Sequence, residues 1–272
     1  MKKLLSLTLI LILSACFFTS CKKDKGVAPV MPPLESMTID FSNFATQKKA
    51  AGLLSDQKGT QNSNWDFAAT VALVWKQLIN ATLLIPVTSF KLAVDQDPVF
   101  LSGKTWQWSY NVTVASVVYK ARLTGEIRAS DVLWKMYITK EGSGGFTDFL
   151  WFEGTSKLDG TGGQWKLNES SQSTGAMLQI DWTKSGTSVG MVTYTYVKND
   201  SFQDSSIEYG LRTSTLNAYY TIHYYNSTML KFSDVLVEWS TTVFNGRVQS
   251  VDYLGDSSWY CWDASKINVT CP

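Results

Sequence analysis

The stretch TWQWSYNVTV, residues 105–114, alternates apolar and polar side chains. Trp106, Trp108, Tyr110 and Val112 share one side of an extended chain, and the polar residues between them share the other. Successive side chains of a β-strand point to opposite faces of its sheet, so this pattern predicts a strand with one buried and one exposed face.

The same two-residue period returns along most of the chain after Lys104. Runs of about eight to eleven residues alternate with clusters of turn-forming residues. We expect about eleven or twelve strands up to residue 263, joined consecutively by hairpins into an antiparallel meander. The turn clusters are GSGG (142–145), DGTGG (159–163), KSGT (184–187), KNDS (198–201), YNST (225–228) and NG (245–246).

The clearest helical pattern is NSNWDFAATVALVWKQLINATLLIP, residues 62–86, in which Asn64 is the expected N-cap. Pro86 is expected either to end this helix or to begin a second short helix over PVTSFKLAV. Apolar residues cover most of the helix circumference, so the helix has to be buried on most sides. The chain therefore predicts a mainly β fold, a strongly curved antiparallel meander sheet or an open barrel wrapped around this N-terminal helix.

Residues 37–272 are predicted to form a single β-rich domain, with its helix near 64–85. The alternation in MTIDFSNF, residues 37–44, predicts a further short strand, and ATQKKAAGLL, residues 45–54, predicts a short helix. An aromatic share of 13% and eleven tryptophans supply ample apolar surface for the core of such a domain.

Residues 1–20, MKKLLSLTLILILSACFFTS, have the pattern of a secretory signal peptide. Lys2 and Lys3 give it a positive start. The apolar run from Leu4 to Phe18 is shorter than the roughly 20 residues that span a bilayer as a helix. A cysteine after small residues resembles the signal of bacterial lipoproteins, in which that cysteine becomes the acylated first residue of the mature chain.

Two cysteines compete for this role. LSAC fits the lipoprotein pattern closely at Cys16, whereas FTSC fits it more loosely at Cys21. A mature chain that starts at Cys21 continues directly into the polar, proline-bearing stretch KKDKGVAPVMPPLES, which suits a tether leaving a membrane surface. We therefore favour Cys21 as the lipidated residue, keep Cys16 as the alternative, and expect residues 21–36 to form the lipidated cysteine and a flexible tether.

The predicted order of elements resembles the periplasmic lipoprotein-carrier fold, an incomplete barrel with helices at its mouth. The sequence pattern of residues 104–187 resembles that of uncharacterised lipoproteins of Bacteroidota. The stretches that carry this resemblance are WQWSYNV, DVLWKMYIT, GFTDFLWFEG, GTGGQWKLNE and LQIDWTKSG. The resemblance implies a protein held by a lipid anchor at the bacterial outer membrane, facing the periplasm or the cell surface. It implies no reaction.

Charge and composition exclude several classes of function. Removal of residues 1–20 leaves a formal net charge of −1 and no basic stripe, so we expect no nucleic-acid partner. The chain has a single histidine and four cysteines, which argues against a zinc site, and we expect no metal and no cofactor. Cys261 and Cys271 are expected to form a disulfide in an oxidising compartment, with two free thiols as the alternative.

Few residues suggest catalysis. Glu153 follows Trp151 in FLWFEG, and a carboxylate beside aromatic rings can act as a general acid when a second carboxylate is near. Glu126, Asp181, Glu208 and Glu238 are the candidate partners, although Asp181 and Glu238 have polar neighbours on their predicted faces and are expected to be solvated. His223 in YYTIHYY is expected on a polar strand face with Tyr219, Thr221 and Tyr225.

Trp259 and Trp262 flank Cys261, and they are candidate ligand-binding residues together with Trp151 and Glu153. The alternative is that both tryptophans cover the open end of the sheet. We expect a non-catalytic binding or assembly role, with a glycan, a lipid or a protein as ligand. A carrier of lipid or another apolar ligand in a half-barrel cavity is the second hypothesis, and a carboxylate-dependent glycoside hydrolase is the third.

Overall fold

A computed structural model describes residues 26–44, 63–173, 175–186 and 188–272 of the chain. In these residues, fourteen strands form one antiparallel sheet in which each strand pairs with the next along the chain. The sheet is not closed, and β1 and β14 are its two edges. The strands are β1 Val99–Phe100, β2 Thr105–Val114, β3 Val117–Ile127, β4 Asp131–Lys140, β5 Phe146–Lys157, β6 Gly162–Asn168, β7 Ala176–Ser185, β8 Ser188–Tyr196, β9 Ser206–Leu211, β10 Ala218–Asn226, β11 Lys231–Trp239, β12 Gly246–Gln249, β13 Tyr260–Trp262 and β14 Asn268–Val269.

The predicted meander is confirmed, and so is the face assignment in β2. Trp106, Trp108 and Val112 are buried, Tyr110 is half-buried, and the alternating residues face outward. Short connections join most consecutive strands, but the turn predicted at Asn245-Gly246 is wrong. The chain turns at residues 241–243 instead. Gly246 is the first residue of β12, and a side chain at this position would collide with Trp262.

The predicted helix is α1, Asn64–Ala93. Its N-cap is Ser63 rather than Asn64, because the Ser63 hydroxyl accepts the backbone N–H of Asp66 and donates to the Asp66 carboxylate. Asn64 instead makes hydrogen bonds to the end of the chain. Its backbone N–H donates to Asn268 and its side-chain amide donates to the carbonyl of Cys261, so the start of the helix is bonded to the last two strands.

Pro86 neither ends α1 nor begins a second helix. The axis bends by 65° between Asn64–Asn80 and Thr82–Ala93. A proline has no N–H to donate and its ring excludes the carbonyl four residues earlier, which here belongs to Thr82, so the bend lies one turn before Pro86. By length and composition alone, these two helical segments together could cross a membrane, whereas no single helix of the described residues could.

The sheet curves around α1. The helix contacts β2 and β3 near one end of the sheet and β12 and β13 near the other, so both ends wrap the same helix. Ala68, Ala72 and Trp75 on one stripe and Phe67 and Val71 on another are all buried. Burial on both stripes confirms that the helix is enclosed on most of its circumference.

Residues 26–44 also pack on this inner face of the sheet, which limits the predicted tether to the residues before Gly26. Pro29 and Pro32 are buried, and the short 3₁₀ helix Leu34–Met37 contacts β7 and β8. Ser36 accepts a hydrogen bond of 3.1 Å from the indole nitrogen of Trp165. The prolines give this segment an extended shape that fits along the sheet, so their presence did not indicate a free tether.

The strand predicted over residues 37–44 is absent from the described sheet, although its alternation is real. Met37, Ile39 and Phe41 are buried and Asp40 is exposed, but the segment ends in a second 3₁₀ helix, Ser42–Phe44, and pairs with no strand. A half-buried extended chain produces the same period as a strand. The short helix predicted over residues 45–54 lies outside the described residues.

Substitution of Gly154 tests the packing of the inner face of the sheet. A side-chain carbon at this position would collide with the backbone oxygen of Gln164 and the ring of Trp165. We expect Gly154→Ala to lower the free energy of unfolding by about 1–3 kcal/mol, measured by urea denaturation. Gly175→Ala is the matched control, because nothing lies within 4 Å of a carbon added there. Equal stability of the two variants would contradict this packing.

The half-buried Tyr209 is expected to make the protein less stable at alkaline pH. Burial, with a smaller contribution from the charge of Asp40, raises the pKa of Tyr209 to about 12. Since the unfolded chain loses this proton near pH 10, the free energy of unfolding should fall as the pH rises from about 10 to 12. Denaturant titrations of the wild type and Tyr209→Phe should show a smaller fall in the variant. An identical fall in both proteins would contradict the assignment.

Candidate functional site

Glu238 lies at the centre of a group of charges on the outer face of the sheet. Val237 and Trp239 point inward and are buried, so Glu238 between them points outward. The register of the sheet places Tyr219 of β10 on one side of it and Arg247 of β12 on the other.

Two arginines hold the Glu238 carboxylate. Arg247 approaches Oε2 through Nε at 2.7 Å and Nη2 at 2.6 Å, and Arg212, just after β9, approaches Oε1 through Nη2 at 2.6 Å. The side chain of Glu238 is only 14% exposed, which is low for a carboxylate on an outer face. One carboxylate thus receives two guanidinium groups, and the three residues together carry one excess positive charge.

Aromatic rings and backbone contacts fix the two guanidinium groups. Arg247 lies over the ring of Trp259 at 4.2 Å, and Arg212 lies over the ring of Tyr219 at 5.4 Å. Nε of Arg212 also donates to the carbonyl of Leu216. Stacked, hydrogen-bonded arginines lose little further freedom when they bind a ligand, so this group is preorganised.

Tyr219 connects the group to a second carboxylate. Its hydroxyl donates to Glu208 at 2.7 Å, and Thr193 donates to the other oxygen of Glu208 at 3.2 Å. Burial, the hydrogen bond to Glu208 and the charge of Glu208 raise the pKa of Tyr219 to about 12. The phenol therefore stays protonated at neutral pH and remains a donor.

A cleft of about 690 Å³ is lined by the two arginines and Glu238. Its volume falls in the roughly 300–1,000 Å³ range of small-molecule sites. The other lining residues that matter for recognition are the apolar Leu216, Val243 and Val269 and the polar Ser214, Asn245 and Asp263. Three loops and the last strand supply them, whereas the charged residues stand on or next to the sheet.

The C-terminal disulfide closes one side of this cleft. Cys261 and Cys271 are bonded, as predicted, and Cys261 lines the cleft. The pair holds the residues after β14 against β13. Since Asn64 donates to the carbonyl of Cys261, the same strand is also held by the start of α1.

The two tryptophans beside Cys261 have different environments. Trp259 is half-buried under Arg247 and belongs to the cluster of charges just described. Trp262 is only 1% exposed, its indole nitrogen donates to the carbonyl of Phe244, and its ring packs on Phe44. Trp262 therefore supports the core rather than offering a free ring to a ligand.

A second, aromatic cavity of about 410 Å³ lies next to Trp262. Phe44, Trp65, Trp239 and Trp262 line it, but each is at most 6% exposed. The aromatic rings at this end of the sheet consequently form a packed cluster with a shallow opening.

Trp151 and Glu153 do not form a site with convergent carboxylates. Trp151 packs against Phe146 and Phe149 beside a bulge in β5. Glu153 is half-buried on the outer face, and its two cross-strand neighbours are Lys135 and Lys166. Both cross-strand positions are thus occupied by lysines, and the second carboxylate that a glycoside hydrolase needs does not stand at either of them.

His223 lies on the outer face with Tyr219, Thr221 and Tyr225, as predicted. Its Nδ1 is 2.7 Å from Asp234, and its ring stacks on Phe232 with centroids 4.4 Å apart. Ser206 is its cross-strand neighbour, but no hydrogen bond joins the two in the described residues. The row Ser206, His223 and Asp234 therefore lacks the nucleophile-to-base contact of a serine triad.

Cys16 and Cys21 lie outside the described residues. Within the residues that are described, no group of three or more His, Cys, Asp or Glu side chains is placed to hold a metal ion.

The two arginines are the functional candidates that sequence reasoning missed, and it also misjudged Glu238 as solvated. The correct turn positions would have revealed this group, because they set the register that aligns its residues. A turn at residues 227–230 pairs Tyr219 with Glu238, and a turn at residues 241–243 pairs Glu238 with Arg247. Placing the second turn at Asn245-Gly246 removes Arg247 from that row.

Comparison of the chain with family models, with curated proteins and with solved structures gives no match.

The disulfide should stabilise the domain through its loop. The two cysteines are ten residues apart, and closing so short a loop restricts the unfolded chain by about 2–3 kcal/mol. We expect the double variant Cys261→Ala, Cys271→Ala to lose about this much stability in urea denaturation. Added reductant should destabilise the wild type and leave the double variant unchanged. Insensitivity of the wild type to full reduction would contradict the prediction.

Proposed function

We propose that this chain is an exported bacterial lipoprotein, anchored at the outer membrane, whose β domain binds a ligand without catalysing a reaction. Residues 1–21 support the anchoring, since a positive start, a short apolar run and a cysteine after small residues form a lipoprotein signal. The resemblance to lipoproteins of Bacteroidota supports the same localisation, facing the periplasm or the cell surface.

One observation carries the binding role. The inner face of the sheet is occupied by α1 and residues 26–44, so a ligand has the outer face and the rims of the sheet to bind. On that outer face, Arg212, Glu238 and Arg247 line an open cleft and are already fixed in place. A glycan, a lipid headgroup or a protein segment are the ligands that a membrane-anchored domain of this kind meets.

The alternatives have weaker support. A carrier needs apolar space between helix and sheet, whereas Phe90 at the end of α1 contacts Trp165 and Phe152 directly and is fully buried. A glycoside hydrolase needs two carboxylates across a sugar, whereas the strands pair Glu153 with lysines. Binding without catalysis therefore agrees best with the described residues.

Anchoring is tested by metabolic palmitate labelling of cells that express single-cysteine variants. We expect Cys21→Ser to lose the label and to leave the membrane fraction, because the acyl chains attached at that cysteine provide the anchor. Cys16→Ser is the matched control and should keep both. Loss of label in Cys16→Ser alone would move the anchor to that residue, and an unlabelled wild type would overturn the lipoprotein assignment.

A further inference from the structure

We propose that the cleft formed by Arg212, Glu238 and Arg247 binds a carboxylate that is attached to an apolar group. This inference rests on the proposed binding function and specifies its site and the chemistry of its ligand. Three observations carry it: free guanidinium donors, a balance of charges that disfavours a polyanion, and an apolar part of the lining.

The free donors are the Nη1 groups of Arg212 and Arg247. An arginine carries five N–H groups. Contacts within the described residues engage Nε and Nη2 of both Arg212 and Arg247, and leave Nη1 of both without a protein partner. The two side chains are 39% and 35% exposed, so a ligand can reach these nitrogens.

The charge of the cleft disfavours a ligand that carries several negative charges. The two guanidinium groups of the lining are balanced by the carboxylates of Glu238 and Asp263. Oδ1 of Asp263 accepts the backbone N–H groups of Ser265 and Ile267, so that carboxylate is held in place. A polyanion would face both acids, whereas one carboxylate needs only the two Nη1 groups, and a guanidinium edge matches its planar shape.

The apolar part of the lining selects what the carboxylate is attached to. Val243 and Val269 are 56% and 43% exposed, and Leu216 is half-buried beside them. An apolar group next to the carboxylate would cover these side chains and remove them from water. A leucine-like group with a carboxylate has this shape, whether it is a free organic acid or the end of a polypeptide.

Calorimetric titration of the full chain with N-acetylleucine and with N-acetylleucinamide tests the site. The two probes differ in the carboxylate alone, and a charged hydrogen bond is worth about tenfold or more in affinity, so we expect the acid to bind at least about tenfold more tightly. Arg212→Gln and Arg247→Gln should each remove that advantage. Equal binding of acid and amide, or no binding of either, would overturn the proposal.

Arg122→Gln is the matched control. Arg122 also lies on the outer face, stacks over an aromatic ring, that of Tyr137, at 4.2 Å, and pairs with Asp148. Because it is remote from β9 to β14 in the sheet order, its loss should leave binding of N-acetylleucine unchanged. An equal loss in Arg122→Gln and Arg247→Gln would show that the effect is not specific to the cleft.

Two further variants keep the test valid if an arginine substitution disturbs folding. Val243 is exposed on a turn, so both Val243→Asp and Val243→Lys should fold. Both variants lose the same apolar side chain and differ in charge, so the aspartate variant should bind N-acetylleucine severalfold more weakly than the lysine variant, and salt should reduce this difference. The same affinity in both variants would place the acid outside the cleft.

A peptide that ends in leucine separates the two sources of the carboxylate. Tighter binding of the free-acid peptide than of N-acetylleucine would identify a polypeptide end, and equal binding would identify a free organic acid. The palmitate experiment is independent of these titrations. A labelled, membrane-bound chain that binds no acid would overturn this inference alone, whereas an unlabelled chain that binds the acid would overturn only the anchoring.

Discussion

A sheet with one apolar face must have that face covered, and in this chain the cover comes from the polypeptide itself. The bent helix α1 contacts strands near both ends of the sheet, and the segment 26–44 covers strands in the middle. Burial of apolar surface favours this arrangement by roughly 25 cal/mol for each Å² removed from water. The curvature of the sheet follows, because one helix can contact both ends only if the strands bend around it.

The filled interior determines where recognition can take place. Since the inner side chains of α1 and of the sheet are buried against each other, binding groups have to stand on the outer face or at the rim. The outer face of the sheet faces water, where an isolated ion pair contributes little to stability. The Arg212–Glu238–Arg247 group differs from such pairs because the carboxylate is largely shielded and both guanidinium groups lie over aromatic rings.

Sequence alone predicts the strands, the buried helix and the disulfide, because each has a local signature: period two, apolar stripes and paired cysteines in a short loop. It fails where an outcome depends on contacts between distant segments. The prolines at 29 and 32 indicate an extended chain, but only the sheet shows that this chain is packed. Asn64 and Ser63 are both good N-caps by residue type. Ser63 is the cap because its hydroxyl accepts the N–H of Asp66, and Asn64 bonds to Cys261 instead.

The cleft shows the same limit, since its charged row depends on register. Placing the turn before β12 at Asn245-Gly246 moves Arg247 away from Glu238 and makes the glutamate look like an ordinary solvated acid. The structure removes this ambiguity by packing Gly246 under Trp262, a position that no larger residue can occupy. The lining of the cleft is then tied to the core through β13, whose Cys261 bonds to Cys271 on one side and accepts from Asn64 of α1 on the other. Helix α1 therefore packs against the inner face of the sheet and also helps to hold β13, which forms one side of the cleft on the outer face.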